Sequence, residues 1–417
     1  MPANIVLAIF LLTPLVSVAL YRNAYNRLPL PPGPRALPFI GNLLSIPRAD
    51  KYPWRVYAEW MQLYGDIIHM KVLGRNIIVL NSLRAVQDLI ERRTSTYQDR
   101  GTTEIIKLAG WDWSLGMMDY GRRWREHRQL FHQFFNEQAV RAYEPYLRDG
   151  ARSLLKRLYH TPEDPIRHFD YVITETILSM TYGIHAVGED DVYVKLLQAS
   201  GESIEEGLVA GSFWVDFLPA LKYVPSWMPG TSWQKKVARW NKETESVREV
   251  PWANMVSNTP IPSIAANLSE RIDELDGDEH AKLQEISKNV CAVVYAGELT
   301  PGGAGTLSAA LQTLIFAMVL HPEAQNRAQQ ELDQVVGSER LPDFADAGSL
   351  PYTRALLKEC MRWQPVAPLS VPRRRILHDP ETFPEPDEFR PERYLKDGML
   401  NPDMIDPAAV VFGTGRR

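Results

Sequence analysis

Residues 5–20 carry no charged side chain, and only Thr13, Pro14 and Ser17 interrupt an otherwise apolar run. Such a stretch is unsuited to the surface of a water-soluble body, so the rest of the chain must either cover it or be tethered by it. With its flanks, residues 3–21, it is just long enough to cross a bilayer at about 1.5 Å per residue. Arg22 and Arg27 follow it and no Lys or Arg precedes it, which predicts a body on the cytosolic side. A cleaved signal peptide is the alternative, but a basic start and a small-residue cleavage site are not evident. Residues 1–22 therefore read as an anchor. Residues 23–42 read as a stiff hinge, because the prolines of Leu30-Pro31-Pro32-Gly33-Pro34-Arg35 and of Leu37-Pro38-Phe39 fix φ and remove donors. A simple linker would look the same.

Composition narrows what hangs from that anchor. The 417 residues are 45% hydrophobic and 23% charged, which is ordinary for a folded protein with a large core. A net charge of −5 gives no reason to expect a nucleic-acid partner. Cys291 and Cys360 are the only cysteines, too few for a disulfide framework and suited to a reducing compartment. On a cytosolic body the sequon Asn267-Leu268-Ser269 stays unused. Periodicity predicts a helix over 53–64 and two short strands over 67–72 and 76–81 around Leu73-Gly74-Arg75, with Ser82 capping the next helix. The remainder reads as helices, broken near 225–230 and 260–262. The expected fold is mainly α with a small β part near its N-terminal end.

Four separated signals bear on chemistry. The first is Trp124-Arg125-Glu126-His127-Arg128, opening a helix through Leu130, Phe131, Phe134 and Phe135. Trp124 and Arg128 share a helix face, and an indole N–H beside a guanidinium suits a planar anion. An amphipathic surface helix has the same pattern. The second is a long helical stretch over about 283–320 containing Gly302-Gly303-Ala304-Gly305-Thr306. Glycines inside a helix cost about 1 kcal/mol each, so a cluster implies close approach of a flat ligand, a kink or a misjoined segment. The third is Glu359-Cys360-Met361-Arg362, with Phe389-Arg390-Pro391-Glu392-Arg393-Tyr394 offering a second arginine to the same carboxylate. The fourth is the terminal Phe412-Gly413-Thr414-Gly415-Arg416-Arg417.

Together with the hinge, these signals resemble the cytochrome P-450 superfamily, and its microsomal fungal members in particular, from residue 31 to residue 417. The resemblance implies a b-type haem, electrons from NADPH delivered by a reductase, an apolar small-molecule substrate, and an endoplasmic-reticulum membrane location with the body cytosolic. It makes residues 43–417 the catalytic domain, shortened at its end. It implies that Glu359, Arg362 and Arg393 brace the haem-binding core. It assigns Trp124, Arg128, Arg373 and Arg417 to the haem propionates and Thr306 to proton delivery on the oxygen side. It places the pocket lining in 101–118 and 197–217, where Phe213, Trp214 and Phe217 suit a bulky apolar substrate or, equally, core packing.

Three departures from the family pattern stand out. Gly305 occupies the position where the family usually has an acid, which weakens proton delivery. Ala296-Gly297-Glu298-Leu299-Thr300 mimics the motif early, Pro301 breaks the helix, and 298–302 reads as an extra segment. A hairpin of about 20 residues expected after Arg373-Arg374-Arg375 is absent, and Ile376 follows at once. The family's cysteine loop, aligned on Phe412, Gly415 and Arg417, puts the axial cysteine two positions beyond Arg417. Cys291 and Cys360 read as buried packing residues instead, and His127, His132 and His321 as helical or capping residues rather than ligands. The leading expectation is a fungal monooxygenase of secondary metabolism or xenobiotic oxidation, from an incomplete or misspliced record. The alternative is a membrane-tethered remnant without haem chemistry.

Overall fold

A computed structural model describes residues 29–47, 52–97, 99, 101–207, 213–258, 261–297, 306–366 and 373–411. The anchor at 1–22, the extra segment at 298–302 and the loop at 412–417 lie outside the described residues. No single helix among those described is long and apolar enough to cross a membrane.

The described part of the hinge is not a free linker. His69 N–H donates to Pro32 O at 2.9 Å, and Asn42 exchanges bonds with Lys71 through its backbone N–H (2.6 Å) and its side-chain Oδ1 (2.9 Å). Gly41 has φ +64°, and a Cβ there would meet Lys71 O at 1.9 Å, so this close approach requires glycine. The strand it lies against is β1 (Ile67–Val72), which pairs antiparallel with β2 (Arg75–Leu80). Their two-residue turn, Leu73-Gly74, has positive φ at both positions, as a tight hairpin requires. The turn starts β2 at Arg75, one residue earlier than the alternation suggests. Period two makes Ile68, Met70 and Val72 the inward set, and all three are fully buried.

Helices make up most of the remainder. In chain order they include α1 (Pro53–Tyr64), α2 (Glu104–Leu108), α3 (Arg122–Phe134), α4 (Glu144–His160), α5 (Pro165–Tyr182) and α6 (Val192–Gly207). There follow α7 (Ser232–Ser257), α8 (Ile264–Asp273), α9 (Gly277–Ala296), α10 (Thr306–Leu320), α11 (Pro322–Val335), α12 (Pro351–Trp363) and α13 (Arg373–Leu377). Helix α5 buries residues on every side, Phe169, Val172, Leu178 and Tyr182 among them, so it runs through the centre of the larger core. Around it pack α6, α7, α8 and α9, with Trp240, Leu268 and Tyr295 all fully buried.

The stretch read as one helix over about 283–320 is two elements, α9 and α10, with 298–305 between them outside the description. The C-terminal side carries two smaller cores. One gathers Ala317, Tyr352, Leu356, Cys360 and Phe389; the other gathers Val86, Ile376, Leu377, Phe383, Tyr394 and Val410. At the Arg373–Arg375 junction the chain forms the short helix α13, whose Ile376 and Leu377 plug the second core. Beyond it, β3 (Leu395–Lys396) and β4 (Met399–Leu400) form a minimal hairpin.

Candidate functional site

Helix α3 presents the first cluster. Trp124, His127 and Leu130, three residues apart, turn inward and are buried. Trp124 and Arg128, four apart, border an open concavity of about 360 Å³ together with Arg125, Gln129 and His132. Arg128 lies over the Phe131 ring at 5.8 Å, and Arg125 over Tyr120 at 5.9 Å, which limits how freely either guanidinium swings. Two guanidiniums on one rim favour a ligand with carboxylates, held by charge-assisted hydrogen bonds.

The second cluster is buried. On α12, Arg362 donates from Nε to Glu359 Oε2 (2.7 Å) and from Nη2 to Glu359 Oε1 (2.8 Å), a two-point pair with both side chains fully inaccessible. Arg393 Nε reaches the same Oε1 at 3.1 Å, and the Arg390 backbone N–H donates to it at 2.8 Å. The remaining guanidinium donors meet main-chain carbonyls: Arg362 reaches Leu377 (3.0 Å), Pro386 (2.7 Å) and Glu388 (3.1 Å), and Arg393 reaches Pro384 (2.8 Å). Burial draws the Arg393 guanidinium below its ordinary range, and Glu359 opposes that shift. The cluster thus clamps the irregular segment 384–393 onto α12. The arginines and the carboxylate were legible as a motif. The carbonyl partners were not, because a backbone acceptor carries no side-chain signature.

A cytochrome P-450 family model matches residues 31–376 and again 374–417. The chain belongs to the cytochrome P-450 family. Among curated relatives, it is 35% identical to Cytochrome P-450 monooxygenase COX2 of Coprinopsis cinerea over 93% of this chain and 78% of the relative. It is 34% identical to Cytochrome P-450 monooxygenase COX1 of the same fungus, over 100% and 84%. It is 37% identical to the tryptamine 4-monooxygenase of Psilocybe cyanescens, over 95% and 83%. The family fold is mainly helical with a small β part, as found here, and the family implies haem and reductase-supplied electrons.

The P-450 match divides at 374–376, where the sequence lacks the expected hairpin. The alignment with COX1 is 453 positions long against a chain of 417, so at least 36 of its positions have no residue of this chain. Helix α13 closes that junction. Of the other residues matched to P-450 positions, Thr306 is the exposed first residue of α10. The Arg373 side chain and Arg417 lie outside the described residues. Phe213 packs edge-on against Trp240 with ring centroids 5.8 Å apart, which makes it a core residue, whereas Trp214 is 62% exposed.

The residues present suit haem on its carboxylate side, where Arg128 and Trp124 rim the concavity. On the axial side neither cysteine suits. Cys291 is fully buried in the larger core, and burial drives its thiol far above the usual range. Cys360 is buried beside Tyr352, Leu356 and Phe389, where burial, then the Glu359 charge, push its thiol up to about 12. A thiol so placed remains protonated, and the thiolate is the ligating form. Among the described residues no group of His, Cys, Asp and Glu is arranged to hold a metal ion.

Proposed function

We propose that this chain is a haem-dependent monooxygenase oxidising an apolar small molecule with O₂ and electrons passed from NADPH by a reductase. It would serve fungal secondary metabolism or xenobiotic oxidation and be tethered to the endoplasmic reticulum by residues 1–22, with the body in the cytosol. The observation that carries the reading is the Trp124–Arg128 rim on α3, set in a chain of P-450 family. Haem, when bound, supplies oxygen activation and transfer of one oxygen atom. Trp124 and the Arg128 guanidinium would hold its carboxylates, with Arg373 and Arg417 proposed to assist. Glu359, Arg362 and Arg393 hold the segment around 384–393 rigid against α12, and the Thr306 hydroxyl, at the start of α10, relays a proton.

Haemin titration of the purified chain tests the rim. Arg128→Ala should weaken binding roughly tenfold or more, the worth of a hydrogen bond to a charged group; unchanged binding would remove Arg128 from the site. Carbonate extraction and protease protection test the tether: release of the chain by carbonate, or a protected body, contradicts it. The division of the family match at 374–376 favours a second reading, a tethered remnant without haem chemistry. Sequencing the transcript across that junction decides between them. A recovered hairpin supports the enzyme, and a transcript identical to this chain supports the remnant.

A further inference from the structure

Helices α3 and α9 are joined by three side-chain links. Lys282 Nζ donates to Glu126 Oε1 (2.8 Å), Arg123 Nη2 donates to Glu285 Oε1 (3.3 Å), and Asn289 Nδ2 meets His127 Nε2 (3.1 Å). Lys282, Glu285 and Asn289 stand on one face of α9. The two ion pairs are solvent-exposed and therefore weak and readily screened. The third link is different in kind, because His127 is 2% exposed and Asn289 is fully buried.

The ring's partners fix its state. His127 Nδ1 lies 2.8 Å from the Arg123 carbonyl, which accepts only, so Nδ1 carries the proton. In the neutral ring Nε2 is then an acceptor, and the Asn289 amide supplies the donor. An imidazolium would set a ring N–H against the amide NH₂, and the link would fail unless the amide turned over. The charged groups around the ring are Arg123 and Glu126 on its own helix and Glu285 on α9. Burial leads in drawing its pKa below the ordinary histidine value, which favours the neutral form.

The geometry points to His127 as a positioning residue: through Asn289 it pins α3 to α9 and so sets the orientation in which Trp124 and Arg128 face the carboxylate-binding concavity. This rests on the haem reading of that rim, but the pin itself is a property of the two helices. His127 does not touch the ligand. It lies on the inward face of the helix whose neighbouring face makes the rim, so loosening the pin lets the rim turn.

Two near-isosteric substitutions separate pinning from packing. In His127→Gln the side-chain oxygen reaches the Nε2 position and accepts from Asn289, but it does not titrate. In His127→Asn the amide is too short to cross to α9. Haemin titration of the full chain should give affinity within about twofold of the parent for His127→Gln, and about tenfold weaker for His127→Asn and Asn289→Ala, the scale of one hydrogen bond. On acidification the parent should lose affinity as the ring takes up a proton, whereas His127→Gln should keep a flatter profile. Equal loss in Gln and Asn, or no loss in either, overturns the proposal. Arg128→Ala run alongside isolates the haem reading: if it leaves affinity unchanged, that reading fails instead. The pin is then judged without haemin, by amide exchange across α3. Faster exchange in His127→Asn and Asn289→Ala but not in His127→Gln upholds it, and uniform exchange refutes it.

Discussion

Helices α9 and α10 read as one long helical stretch over about 283–320 on sequence alone, yet they lead opposite lives. Helix α9 carries Asp278, Glu279, Lys282, Glu285 and Lys288, but still buries Ile286, Val290, Cys291, Ala292 and Tyr295 in the larger core. Helix α10 has no charged residue, but among its side chains only Ser308 and Ala317 are buried. Leu307, Phe316, Val319 and Leu320 are each at least half exposed. Apolar sequence therefore records the environment a helix is suited to, whereas burial depends on which partners are present. Helix α9 has α5, α7 and α8 around it. Helix α10 packs against α5, α11 and α12 and still leaves those four side chains at least half exposed.

That contrast can be broken first at the brace, which holds the C-terminal side together. Glu359→Ala or Arg362→Ala strands a buried charge and should remove about 3–5 kcal/mol of stability, read by urea unfolding. A loss within the range of exposed pairs, about 0–1 kcal/mol, would show the clamp to be dispensable. Next, truncation should separate the two helices' surroundings. Leu268→Ala, in the core around α9, should cost about 2–5 kcal/mol through the cavity it leaves. Phe316→Ser and Val319→Ser on α10 should stay within about 0.5 kcal/mol and raise the soluble fraction. Similar losses on both sides would mean that α10 is covered after all.

Acid offers a further contrast. His378 donates from Nδ1 to Arg374 O at 3.0 Å, and burial, reinforced by Arg374 and Arg362, lowers its pKa to about 4. The unfolded ring has the higher pKa of about 6.5, so unfolded chains bind more protons between the two values. Stability from this group is fully present above about pH 6.5, declines as pH falls, and is gone below about pH 4, a total on the order of 3 kcal/mol. His378→Asn should flatten that decline in pH-dependent denaturation curves. The smallest effect concerns the thiols: neither Cys291 nor Cys360 should react with a soluble thiol reagent at neutral pH until the chain is unfolded, and fast native labelling of either would contradict its burial.

Much of this was legible in sequence because local chemistry decided it. Glycine placed the β1–β2 turn, Ser82 caps its helix by accepting from Ala85 N–H at 3.2 Å, and the Glu359, Arg362 and Arg393 spacing anticipated a shared carboxylate. The exposure of α10 was not legible, since it depends on partners remote in sequence. Nor was the docking of the hinge on β1, which rests on backbone hydrogen bonds that no side chain announces. His127 looked like an ordinary helical histidine, because its partner is 162 residues away.

The central claim is that this P-450 chain has the carboxylate-side rim and the brace of a haem protein while neither of its own cysteines serves as the axial ligand. The most direct measurement is the spectrum of the chain, residues 1–417, loaded with haemin, reduced and exposed to carbon monoxide. The account predicts bound haem without the signature of an axial thiolate, because Cys291 and Cys360 are buried protonated thiols. A clear thiolate band, lost on replacing Cys360 or Cys291 by serine, would contradict it and make that cysteine the ligand.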